Sequence, residues 1–272
     1  MPRPSASSLL PALPVAGARV AGPRSLLAEL AGLVVPVACG GCGLPDVPWC
    51  AGCAALLTVR PWRCEERAAR LDRLDGRPLP VWTLAEGVGA ARQAVVAWKD
   101  RGRVDLTPRF AAALRDAGRT VALAAPAVPA SAALRVVGAP SSPAARRRRG
   151  GNLVDALARG VAAGLTAGGV AAVPSDALRR RPGADQVGLG ARGRARNLAG
   201  RVRVRGGGEL EVRGRAVVLV DDVLTTGATL AASRAALESA GAVVVGAFTL
   251  ASTPPPGVAP PSHEVPSARP PG

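Results

Sequence analysis

Between Val81 and Ser252 the chain alternates short apolar runs with amphipathic stretches. The runs at 120–125, 134–139, 169–173, 216–220 and 243–250 predict strands, and the stretches 88–99, 105–117, 152–165 and 228–240 predict helices. Such alternation implies an α/β domain built on a mostly parallel sheet with right-handed crossovers. The run 216–220, AVVLV, is apolar at every position, as expected of a strand covered on both faces. Residues 202–205, VRVR, alternate apolar and basic side chains and predict an exposed flanking strand.

Outside this region the texture changes. Residues 1–23 are rich in Pro, Ser, Ala and Gly and read as a flexible leader. SLLAELAGLVV at 25–35 predicts a short helix. The cysteines follow between 39 and 64, and the charged, turn-rich residues 65–80 read as a linker. The expected organisation is a leader (1–23), a helix and cysteine module (24–80), an α/β domain (81–252) and a disordered Pro-rich tail (253–272).

Composition narrows the function classes. A hydrophobic content of 48% supports a buried core, while two Phe, four Trp and no Tyr argue against rows of aromatic stacking platforms. The net charge is +16, carried by arginines with Lys99 as the single lysine. The surface that this skew creates attracts polyanions. No apolar run reaches the ~18 residues of a membrane span. Arg19, Arg24 and Glu29 interrupt any signal-peptide core ahead of Pro36-Val37-Ala38-Cys39, so a cytoplasmic protein is expected.

The chemistry concentrates after the 216–220 strand. Asp221 and Asp222 follow it at the carboxyl edge, where open α/β sheets bind ligands. Leu224, Thr225, Thr226, Gly227, Ala228 and Thr229 then lead into a helix. Gly227 allows a tight path, and the amides entering the helix converge on one spot with the positive end of the helix dipole behind them. The hydroxyls of Thr225, Thr226 and Thr229 add donors, giving a cradle for a phosphate monoester. The two carboxylates suit sugar hydroxyls, or a magnesium ion beside them. Together they describe a ribose 5-phosphate site. The competing explanation is ordinary capping of a helix by Asp and Thr. A Walker loop is excluded by the absence of Gly-Lys-Ser/Thr.

Two further clusters carry candidate chemistry. Cys39-x2-Cys42 and Cys50-x2-Cys53 form two CxxC knuckles whose four thiolates complete a tetrahedral zinc shell; Cys64 stands apart as a leftover. Redox CxxC chemistry and free thiols are the rivals. Arg146–Arg149 precede a helix expected from Asn152 and read either as a solvated loop or as an anion clamp. On the second reading Arg147, Arg148, Arg149 and Asn152 would hold pyrophosphate or a nucleic-acid backbone. Arg179–Arg181, Arg192, Arg194 and Arg196 form a second basic stretch.

VVLVDDVLTTGATL at Val217–Leu230 resembles the phosphoribosyl-pyrophosphate signature of type I phosphoribosyltransferases. The order of features over roughly 25–252 resembles the ComF family of competence-associated proteins. It does so in the cysteine module, Trp98-Lys99, the Arg147–Asn152 segment, and Gln186, Leu189, Arg194 and Asn197. Gly151 stands where that family usually has Phe, and Leu153 where it has Gln. The resemblance implies an α/β fold of the phosphoribosyltransferase kind with an N-terminal zinc module. It also implies phosphoribosyl pyrophosphate with Mg2+ as ligand, with Asp221 and Asp222 as the acidic catalytic pair of a glycosyltransferase. The alternative it carries is a noncatalytic protein of DNA uptake or processing, bound to single-stranded DNA and a helicase-like partner.

Overall fold

The computed structural model describes residues 37–71, 78–124, 133–182, 200–255 and Gly257. The expected leader, the 25–35 helix, the Gln186–Asn197 string and nearly all of the tail lie outside the described residues. Contacts divide the chain into two units, Met1–Val37 and Ala38–Gly272, and every helix and strand among the described residues belongs to the second.

In chain order the helices are α1 (Ala51–Ala55), α2 (Gly89–Asp100), α3 (Thr107–Ala124), α4 (Pro143–Arg149), α5 (Leu153–Ala167), α6 (Gly208–Val212) and α7 (Ala228–Ser239). The strands are β1 (Trp62–Arg63), β2 (Val81–Glu86), β3 (Leu134–Gly138), β4 (Ala172–Ser175), β5 (Leu178–Arg180), β6 (Val202–Val204), β7 (Ala216–Leu224) and β8 (Val243–Ser252). Six of them form one sheet in the order β1-β2-β8-β7-β3-β4, parallel throughout except for β1. The predicted α/β class and mostly parallel sheet are therefore present.

Alternation along the central strands sorts the core into two layers. Val218 and Val220 join Trp98, Phe110, Leu114, Leu157 and Val161 on the side of α2, α3 and α5. Val217 and Leu219 join Leu230, Leu237 and Val212 on the side of α6 and α7. The cysteine segment packs into the first layer through Trp49, Cys53 and Leu57.

The expected strand at 120–125 is instead the end of α3. A short apolar run fits either period, and Phe110, Leu114, Ala117 and Ala122 carry a helical buried stripe through it. This stripe meets α5 at backbone contact distance: a Cβ on Gly160 would fall 2.3 Å from the Ala111 carbonyl oxygen, and one on Gly164 1.9 Å from that of Arg115. The start of the expected 65–80 linker is also structured. Ala68 and Leu71, like Cys64 just before them, are buried in the second layer, where apolar spacing outweighs the surrounding charges. Residues 202–204 do form a flanking strand, paired antiparallel with β5 in a separate ribbon.

Candidate functional site

β7 runs through Leu224, so Asp221 and Asp222 lie inside the strand rather than after it. Around them the strand pairs laterally with β8 at Asp221↔Thr249 and Val223↔Ala251. Apolarity alone marked only the first half of this strand. Adjacent strand residues project to opposite faces, so the two carboxylates have different surroundings.

Asp222 points to the α2 layer. Its Oδ2 is 2.7 Å from the Nζ of Lys99, and its Oδ1 accepts from the amide of Val223 at 2.7 Å. Lys99 lies in the last turn of α2, just past the buried Trp98, whose indole donates to Thr107 Oγ1 at 2.8 Å. Burial alone would depress the lysine; the charge of Asp222 and the hydrogen bond to it outweigh burial and raise its pKa. The ammonium therefore stays charged.

Asp221 points to the α7 layer and accepts from the amide of Asp222 at 2.9 Å. Burial, reinforced by the charge of Asp222, pushes its pKa up to about 8. Its lateral neighbours Thr249 and Thr83 are fully buried, with hydroxyls that have no hydrogen-bond partner among the described residues.

Beyond Leu224 the chain turns through exposed Thr225 and Thr226 to Gly227, at φ 73°, and into α7 at Ala228 and Thr229. Gly227 is doubly constrained, because a Cβ there would also meet Ala68 at 3.2 Å. The amides at the start of α7 have no partners within the helix, so the loop combines a left-handed turn with a helix N-terminus of twelve residues. That geometry suits an anion.

The arginine run is a helix, not a loop. Ser142 Oγ caps its start by accepting from Ala145, and Gly150 at φ 72° ends it. The arginines of its last turn complement the negative end of the helix dipole. Arg147 and Arg148 are exposed, while Arg149 turns inward, with its side chain only 12% exposed, and donates to Asp100 Oδ1 at 3.2 Å. Its Nε is buried without an acceptor among the described residues. Asn152 is engaged at both ends, accepting from Ser141 at 2.9 Å and donating to Asp155 at 2.7 Å. It is thus held in place as a bracket between two segments and is not turned out with the arginines.

Lys99 and Asp100 bring the two halves together: one residue engages the Asp-Asp strand and the next engages the arginine helix. Periodicity placed Lys99 on a helix but gave it no role. One signal was available, since a single lysine persists among 35 basic residues, and an ammonium and a guanidinium are not interchangeable.

The four cysteines converge. Their sulfurs lie within 4.8 Å of one another, with Cys42 Sγ 3.6 Å from Cys50 Sγ. Tetrahedral zinc–thiolate geometry places sulfurs roughly 3.8 Å apart, so the set fits a zinc ion. Burial opposes ionisation of Cys39, but amides of Cys50, Cys42 and Gly41 directed at its sulfur outweigh it and lower its pKa to about 6. That presents a ready thiolate ligand. Cys64 lies outside this cluster, its thiol buried and pushed up to about 12.

Residues 158–266 match the family model of the phosphoribosyl transferase domain. Over 37 residues the chain is 62% identical to adenine phosphoribosyltransferase of Corynebacterium kroppenstedtii, a match covering 14% of this chain and 20% of that enzyme. Among solved structures, the allosteric regulatory enzyme of purine biosynthesis aligns with a TM-score of 0.31 and 22% identity, over 51% of this chain and 25% of that one. The chain thus spans about a fifth of the curated relative it matches. It carries a phosphoribosyl transferase domain on an α/β fold, with a four-cysteine cluster toward its N-terminus. Among the described residues no helix is long and apolar enough to cross a membrane.

Proposed function

We propose that the chain is a ComF-like protein that binds phosphoribosyl pyrophosphate, or a related ribose 5-phosphate ligand, at the carboxyl edge of β7. Transfer of the phosphoribosyl group to an acceptor is the chemistry such a site serves. The observation that carries this reading is the Lys99–Asp222 ion pair standing at the foot of the 225–229 turn.

The amides and hydroxyls of Thr225, Thr226, Gly227, Ala228 and Thr229 receive the 5-phosphate. Asp222 accepts from the ribose hydroxyls, and Asp221 supports it from the next position along the strand. Lys99 and Arg149 would meet the pyrophosphate end, and Mg2+ bound with the ligand would offset its charge. In transfer, an acceptor lone pair forms a bond to C1 as the C1–O bond breaks and pyrophosphate leaves with the electron pair. Any proton on the acceptor atom passes to water. The Asp222 carboxylate, held close by, stabilises the positive charge that develops on the ring. Zinc on Cys39, Cys42, Cys50 and Cys53 is structural, since four thiolates leave no open position.

Calorimetry with phosphoribosyl pyrophosphate and Mg2+ tests this reading. Binding that Asp222→Asn abolishes is expected; no heat with the parent protein overturns it.

A second reading, single-stranded DNA binding, draws support from the β5–β6 ribbon. Arg179 and Arg203 stand directly opposite each other on its exposed face. Like charges in that position repel, and a polyanion relieves the repulsion. Affinity for an oligonucleotide would then fall steeply with salt, and removing each arginine would lower the slope by about one.

A further inference from the structure

The four sulfurs of the cysteine cluster are not equivalent. Cys39 and Cys53 are buried, Cys50 is half-buried and Cys42 is exposed. The two open ones stand together, with Cys42 Sγ 3.6 Å from Cys50 Sγ. Disulfide bonding brings sulfurs to about 2.05 Å, a small movement from there. Metal coordination keeps such thiols deprotonated. Oxidation then selects sulfurs that are exposed and lie next to a second cysteine able to resolve the product. Among the four, Cys42 and Cys50 best meet these conditions.

The same cluster grips α2 at both ends. At the first turn Gly41 is wedged between sulfur and backbone. A Cβ on it would fall 2.6 Å from Cys53 Sγ and 3.2 Å from the Ala90 carbonyl oxygen. Trp49, Cys53 and Leu57 line a void of about 10 Å³ together with Ala91, Ala94 and Val95 of α2. Past the other end, Arg103 donates to the carbonyl oxygens of Ala38 at 2.7 Å and Pro48 at 2.9 Å, on either side of the first knuckle. Its guanidinium is fixed by Asp105 at 2.8 Å, and its amide donates to Ala97 at 3.1 Å. Lys99 lies between these two holds. A rearrangement of the sulfurs therefore pulls on the helix that sets the Lys99 ammonium against Asp222.

We propose that Cys42 and Cys50 are a peroxide-oxidation site, and that their disulfide releases zinc and loosens α2. The Cys42 thiolate attacks one oxygen of hydrogen peroxide; the O–O bond breaks and hydroxide leaves, giving a sulfenic acid. The Cys50 thiolate then forms the S–S bond as the S–O bond breaks and a second hydroxide leaves. The two sulfurs give up two electrons, the peroxide gains them, and two protons from solvent convert the hydroxides to water. Cys39 and Cys53 alone cannot complete the four-ligand shell of structural zinc. A dithiol reverses the oxidation by exchange. The consequence for phosphoribosyl pyrophosphate rests on the function proposed above: fewer molecules present Lys99 correctly, and affinity falls with that fraction.

The test titrates the zinc-loaded full chain with hydrogen peroxide beside a colorimetric zinc chelator. Release of about one zinc per chain is expected, with Cys42 joined to Cys50 in peptide maps before any other pair forms. Hydrogen exchange of the α2 amides should accelerate about tenfold or more, while α5 and β7 stay protected. Dithiothreitol with added zinc should restore the starting state. Cys64→Ala, which leaves no thiol outside the cluster, should behave as the parent. Zinc retained at peroxide levels that consume free glutathione overturns the proposal. So does a first disulfide between any other two cysteines, zinc release with unchanged α2 exchange, or exchange that rises equally in α5 and β7. Calorimetry with phosphoribosyl pyrophosphate and Mg2+ separates the two readings. Affinity that falls about tenfold on oxidation and returns on reduction supports both. Affinity unchanged by oxidation overturns the link from the sulfurs to Lys99. A parent protein that never binds the ligand sinks the phosphoribosyl reading and leaves the oxidation site to be judged on zinc, disulfide and exchange.

Discussion

Lys99 Nζ stands 2.7 Å from Asp222 Oδ2, in a pair only partly open to water. Removing one partner strands the other charge. Lys99→Met should cost about 3 kcal/mol of stability at neutral pH. The double variant Lys99→Met/Asp222→Asn should recover much of that, because no charge is left unpaired. Urea unfolding of both single variants and the double variant measures the coupling; additive losses would show that the pair contributes nothing.

Asp221 imposes a pH dependence of definite sign. Its folded-state pKa is raised to about 8, above the unfolded carboxylate value, so folding favours the protonated form. The stability this contributes is complete below about pH 4 and is lost as pH rises toward 8, at about 1.4 kcal/mol per pH unit. Asp221→Asn keeps the acceptor for the Asp222 amide and should remove this slope. Unfolding midpoints of parent and variant between pH 5 and 8 should therefore diverge, the variant gaining on the parent as pH rises.

The contact between α3 and α5 depends on hydrogen at two Cα positions. Gly164→Ala should destabilise by about 3 kcal/mol, since its methyl meets rigid backbone rather than a movable side chain. Gly151→Ala, where a Cβ meets nothing within 4 Å, should cost far less. Thermal melts of the two variants make the comparison, and equal losses would refute it.

The cysteine cluster predicts a division among five residues of one type. Cys39→Ser should strip zinc from the purified protein and lower its melting temperature. Cys64→Ala should leave zinc content unchanged, since that thiol lies outside the cluster. Metal analysis by mass spectrometry decides; parallel loss in both variants would contradict the four-thiol assignment.

Much of the architecture was legible because β7, α2 and α7 follow their local periods closely. The 120–125 segment was not, because Val121, Ala122 and their neighbours suit strand and helix alike, and α5 packing decides between them. The turn at Gly227 was readable because glycine, two threonines and a helix start state one requirement together. The partnership of Asp222 with Lys99 spans 123 positions of chain, and no local pattern encodes such a pairing. The bonds of Asn152 to Ser141 and Asp155 were hidden for a related reason, since they depend on how two segments meet.

Trp49, beside Cys50, packs edge-on against Phe110, with ring centroids 5.8 Å apart, and Phe110 packs edge-on against Trp98 at 5.3 Å. Trp98 directly precedes Lys99. Two of the four tryptophans thus lie on a short path of rings from the cysteine cluster to the ion pair. The protein carries its own optical gauge: loosening the sulfur cluster frees the Trp49 indole, while Thr107 keeps the Trp98 indole anchored. Intrinsic emission would therefore report metal binding at the four cysteines from inside the fold, with no dye attached.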